Sequence, residues 1–235
     1  MLIRPLRFFL VFAFLLAFPI LELHAQQAFE GSITWSMTIP KTGGEKHLMI
    51  INSKGKKLET ETDMGSTGFF KTFSDEDTKK LYVLNVDKQE GFVLDNPGES
   101  ASGNMPTKDS LDLKPTGQKA TIDGHPAEEY ILRRPNSATE TSFWVTADFP
   151  NDIKEVFYHS LNASQSQDPQ KSRALKILNE RGVVPIRIVV RVGGEVALTL
   201  EFIKYEEKHL DNTVFIPPTN IQFNPLPKSG SAMMR

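Results

Sequence analysis

From Phe29 the chain alternates. Phe29, Ile33, Trp35, Met37 and Ile39 hold odd positions, with Glu30, Ser32, Thr34, Ser36 and Thr38 between them. Period two places the two sets on opposite faces of one strand. Gly43-Gly44 marks a turn, and a second strand is predicted over residues 46–52. Ser53-Lys54-Gly55-Lys56 turns the chain into a polar strand over residues 57–62. Residues 68–73 and 80–86 read as two more strands, and 91–94 continues the meander after the charged turn Asp87-Lys88-Gln89-Glu90. The stretch 95–110 changes character. It opens on Asn96-Pro97-Gly98, holds few apolar residues and is expected to be a mobile loop.

Residues 118–122, Asp123-Gly124 and 127–134 form a hairpin-like unit, and Phe143-Trp144-Val145 centres a strand over 141–146. The periodicity then switches. Ile153, Val156, Phe157 and Leu161 fall at i, i+3, i+4 and i+8, the spacing of a helix face. Asp168-Pro169 and Gly182 bracket a second short helix with Ala174, Leu175 and Leu178 on its apolar side. Strands over 184–192 and 195–205 follow, then Phe215-Ile216-Pro217-Pro218 and a flexible tail over 224–235. At Gly193-Gly194 the register decides which side chains meet. A two-residue loop pairs Val190 with Ala197 and Ile186 with Glu201, mixing apolar and charged positions. A three-residue loop aligns Val190 with Val196, Ile188 with Leu198 and Ile186 with Leu200, and sets Arg191 opposite Glu195. That second register is the expected one.

No repeat of 20–50 residues is visible and no βαβ alternation occurs, which disfavours propellers, solenoids and Rossmann-type or barrel enzymes. The order predicts a mainly β fold with a small helical insert. Its economical form is one highly curved antiparallel sheet with the helices covering part of the concave face.

The first 25 residues have the organisation of a secretory signal. Arg4 and Arg7 precede an uncharged run over 8–21, and Leu23-His24-Ala25 precedes Gln26. The run is shorter than a bilayer-spanning helix and contains Pro19. Cleavage after Ala25 would remove two Arg and one Glu, taking the net charge from −2 to −3. A single domain over 26–223 is expected to be water-soluble, with no integral membrane segment after processing. The chain has no Cys, which excludes disulfides, thiol nucleophiles, Cys-based metal sites and the lipid anchor a bacterial lipoprotein carries on its first Cys. The expected location is the periplasm, or secretion without a lipid anchor. The small negative charge gives no drive towards nucleic acid.

Candidate chemistry is sparse. His47, His125, His159 and His209 are far apart and lack metal-binding spacing, so surface positions suffice for them, with His159 on the outer half of its helix. Asp75-Glu76-Asp77 is followed by neither the Gly nor the late Glu of a calcium loop and reads as a solvated turn. Gly65-Ser66-Thr67-Gly68 does not meet the nucleophile-elbow pattern. Glu128 and Glu129 are strand neighbours and point to opposite faces. No enzyme activity, cofactor or metal is expected.

Several short stretches together resemble a secreted bacterial family, the domain of unknown function 4412. They are Phe29-Glu30-Gly31-x-Ile33, Ala120-Thr121-Ile122-x-Gly124-x-x-Ala127-x-x-Tyr130, Phe143-Trp144-Val145, Val184-Pro185 and Phe215-Ile216-Pro217. That family looks related to the LolA/LolB lipoprotein carriers. The resemblance implies a half-open β-barrel with helices over its mouth. The function expected first is a periplasmic, non-enzymatic binding protein for a lipid or lipoprotein acyl chain, with Ile33, Trp35 and Met37 in the concavity. Packing of the same residues beneath the helices is the competing explanation. The alternative is an envelope protein-interaction or sensing module without a small ligand, recognising a protein partner through the 95–110 loop.

Overall fold

The computed structural model describes residues 29–95, 112–133, 137–165 and 169–225. The expected signal sequence, the loop after Asp95 and most of the tail lie outside the described residues. Strands β1 (Glu30–Thr38), β2 (Lys46–Lys54), β3 (Lys57–Asp63), β4 (Phe69–Asp75), β5 (Lys80–Asn85) and β6 (Glu90–Asp95) form one antiparallel meander. A second comprises β7 (Asp112–Ile122), β8 (His125–Arg133), β9 (Thr139–Thr146), β10 (Val184–Val192) and β11 (Glu195–Glu207). Helices α1 (Asn151–Gln165) and α2 (Pro169–Glu180) are inserted between β9 and β10.

A single ladder, β1 against β11, joins the two meanders into one large curved sheet that does not close. Its order ends with β12 (Phe223–Pro225), which the sequence reading did not anticipate and which pairs in parallel with β6. The register breaks between Thr34 and Trp35 on the seam, and again in the β7–β8, β9–β10 and β10–β11 pairs. Such breaks bend strands and raise local twist, so the curvature has identifiable origins.

The core lies between the sheet and the helices. Ile33 and Trp35 of β1, Ile186 of β10, Ile153 and Phe157 of α1 and Leu178 of α2 are all fully buried. The helix periodicity predicted this inward face for both helices. Phe157 rivets the seam from above: its ring lies 5.5 Å from Trp35 on β1 and 5.5 Å from Phe202 on β11. Gly31 permits the same seam to close. A Cβ at that position would run into the carbonyl oxygen of Glu206 on β11.

The hairpin at Gly193-Gly194 corrects the expected register. The loop has two residues, both glycines with positive φ (62° and 86°), and Val192 pairs with Glu195. A register shift after Arg191–Val196 then skips Ala197, giving Val190–Leu198 and Ile188–Leu200. The apolar mismatch that disfavoured a two-residue loop is resolved by that bulge, one pair further down the ladder.

Beyond β11 the chain crosses the sheet face opposite the helices. Glu30 accepts a hydrogen bond from the Leu210 N–H at 2.6 Å, and Lys54 Nζ donates to the Leu210 carbonyl at 2.7 Å. The backbone hydrogen bond to Leu210, reinforced by Lys54, holds the Glu30 carboxyl below its usual range. Phe215 is buried next, and Phe223 meets Tyr82 of β5 edge-on at 5.2 Å. This strap ties β11 to the β6 edge.

Candidate binding face

Directly paired residues in an antiparallel ladder share a face. The row Ile33–Ile51–Thr60–Thr72–Val83–Phe92 therefore runs along the helix-bearing side from β1 to β6. Two parallel rows flank it: Gly31–Ser53–Leu58–Ser74–Leu81–Leu94, and Trp35–Met49–Thr62–Phe70–Asn85–Glu90. Ile33, Trp35 and Met37 lie on this face as expected. All three are buried in the core rather than lining open space, and Phe157 of α1 packs on Trp35.

The accessible apolar surface of the face is elsewhere. Phe70, Leu81, Val83, Phe92 and Leu94 on β4–β6 are half-buried and stand apart from the cluster beneath the helices. They make an apolar ledge beside the covered half of the sheet. The alternation Leu81-x-Val83 and Phe92-x-Leu94 was visible in the sequence. Which face it served depended on register across four ladders, and period two alone does not supply that.

Among the described residues several buried polar atoms have no hydrogen-bond partner, including Trp35 Nε1, Tyr158 Oη and, on β2 two strands from the ledge, Ser53 Oγ. Burial also pushes the Tyr158 phenol well above its ordinary value. On the opposite face Glu59 is buried, accepting from Asn52 Nδ2 at 2.8 Å, with Lys71 Nζ 3.4 Å away and also bound to Glu61. Desolvation raises the Glu59 pKa against these partners.

The histidines are only partly surface groups. His159 is turned towards the β4–β5 turn, with Nε2 3.3 Å from Glu76 and its side chain 18% exposed, so it does not sit on the outer half of the helix. Burial lowers its pKa, opposed by Glu76. His125 lies 3.0 Å from Asp148 and packs on Phe149. Around Asp75-Glu76-Asp77 the contacts are those of a turn, with Asp77 bound to Lys56 at 2.8 Å. Glu129 is buried and accepts from Ser142 Oγ and Thr116 Oγ1, while Glu128 pairs with a different strand position, so the two carboxylates share no site.

A depression of about 260 Å³ has Arg133, Ser137, Ala138, Glu140 and Arg191 in its lining. Glu140 lies 2.8 Å from Arg133 and 3.9 Å from Arg191, so its own carboxylate answers both guanidiniums. Among the described residues, no helix is long and apolar enough to cross a membrane.

The arrangement defines a mainly β protein whose one open, curved sheet carries two helices on a single face. Residues 29–221 match the family model described as a domain of unknown function (DUF4412), and the chain belongs to that family. Among solved structures it is similar to an uncharacterised conserved protein from Thermus thermophilus, at 11% identity and a TM-score of 0.51, over 86% of this chain and 94% of that one. Two crystal forms of PNGF-II align with TM-scores of 0.44 and 0.42 at 14% and 16% identity. They cover 86% and 85% of this chain, which spans only 31% and 32% of theirs. Comparison with curated proteins found no match.

Proposed function

We propose that the protein is a non-enzymatic carrier for a lipid or acyl chain, acting in the periplasm after loss of its first 25 residues. In this reading the curved sheet is a half-open barrel of the LolA/LolB type, and the helices form its partial cover. One observation carries it: the apolar ledge of Phe70, Leu81, Val83, Phe92 and Leu94, on the helix-bearing face but outside the core. An acyl segment of about ten methylenes would contribute roughly 8 kcal/mol if fully buried and about half of that laid one-sided on such a surface, before the cost of immobilising it. Occupation of the ledge needs no movement of α1, whereas access to Trp35 requires that helix to lift.

Native mass spectrometry with lipid extraction tests the reading on protein purified from the cell envelope. Lipid should co-purify with the wild-type chain and be lost from a Phe92→Asp variant that keeps its circular dichroism spectrum. A lipid-free wild type that also fails to bind a fluorescent acyl probe would overturn it.

A further inference from the structure

We infer that the ligand's polar group is an uncharged hydrogen-bond acceptor, an ester or amide carbonyl, seated on a patch of hydroxyls between the two apolar halves of the helix-bearing face. The inference rests on the carrier reading and specifies its ligand class. Thr60 and Thr72 are direct cross-strand partners, and Thr62 and Ser74 sit diagonally on either side of that pair. Ile33, Ile51 and Leu58 adjoin the patch towards the helices, and Val83, Leu81, Phe92 and Leu94 adjoin it towards the β6 edge.

Hydroxyls that interrupt an apolar face add desolvation cost when a hydrophobic ligand covers them unpaired. Ser53, one strand away on the same face, already holds a fully buried Oγ without a partner among the described residues. Thr60 and Thr72 are half-buried rather than enclosed, and a ligand carbonyl laid across β3 and β4 would accept from their hydroxyls. The charge pattern narrows the class further. In the three rows from β1 to β6 the ionisable residue is Glu90, at the outer edge, and His47 stands opposite Met37 at the far end of β2. These rows contain no Lys or Arg. A carboxylate laid there would lose its hydration without gaining an ion pair from these strands, whereas a neutral carbonyl accepts from hydroxyls at no such cost.

The test compares two probes of equal chain length, dodecanoate and its monoglyceride, displacing an anilinonaphthalene dye from the full mature chain at pH 8. The monoglyceride should bind about tenfold more tightly than dodecanoate. The near-isosteric pair Thr60→Val and Thr72→Val should erase that preference, weakening the ester about tenfold while leaving the carboxylate unchanged, as expected for losing a hydrogen bond. Equal binding of both probes to the wild type overturns the inference and leaves the carrier reading standing. Displacement by neither probe overturns the carrier reading and the inference with it. Should the double variant fail to fold, the wild-type comparison decides alone.

Discussion

Trp35 provides a sharp test of how the seam is held. Its indole is fully buried between Phe157 and Phe202, yet Nε1 finds no acceptor among the described residues. Trp35→Phe removes two ring carbons and the orphaned N–H. The carbons cost about 1.6 kcal/mol at roughly 0.8 kcal/mol each. Removing a buried, unpaired donor returns about 1–3 kcal/mol. The two effects oppose each other, so Trp35→Phe should lie within about 1.5 kcal/mol of wild type. Trp35→Ala removes the ring contacts as well and should cost about 3–5 kcal/mol. Urea denaturation with an unchanged slope measures both differences. A loss above about 3 kcal/mol for Trp35→Phe would refute the reasoning, since the N–H must then be satisfied in the native state.

Other expectations follow from single residues. Gly31→Ala should destabilise by several kcal/mol, or block folding, because its Cβ meets the Glu206 carbonyl on the seam; thermal melts report it. Burial raises the Glu59 pKa above that of the unfolded chain, so its contribution favours the fold below the unfolded value near 4.5 and is lost as pH rises through the native value. Glu59→Gln should therefore be more stable than wild type at pH 7, and the advantage should shrink on acidification, read as the difference in urea midpoints at the two pH values. Ser142→Ala removes a donor from buried Glu129 and should cost about 1.5–3 kcal/mol, measured by equilibrium unfolding.

Alternation and turn residues made most elements legible. The strand over residues 184–192 has the predicted bounds, and β1 places Ile33, Trp35 and Met37 on the expected face. Register was harder. Pairing by apolar match led to a three-residue loop at Gly193-Gly194, when a bulge that skips Ala197 satisfies the same match with a tighter turn. β12 was invisible because it has three residues, one of them Pro, and gains its strand character from β6 alone. His159 was misplaced because helical periodicity orients a residue relative to its own helix, and the β4–β5 turn it meets lies about 80 residues earlier. The ledge followed the same logic: each of its residues was legible as strand, but their common face emerges only from ladders read in sequence.

The single ladder between the two meanders also has a temporal meaning. Within each meander consecutive strands pair, so most contacts form between near neighbours in the chain. Ile33, by contrast, meets Tyr205 about 170 residues later. A chain emerging N-terminus first can assemble β1–β6 early, but β1 keeps one unpaired edge until β11 arrives. Closing that gap carries the largest loop-entropy cost in the sheet, ahead of the β6–β12 pairing between residues about 130 apart. Zipping of the seam is thus expected as the slow step of folding, and a molecule halted before it would expose an aggregation-prone edge strand whose inward side chains include Trp35.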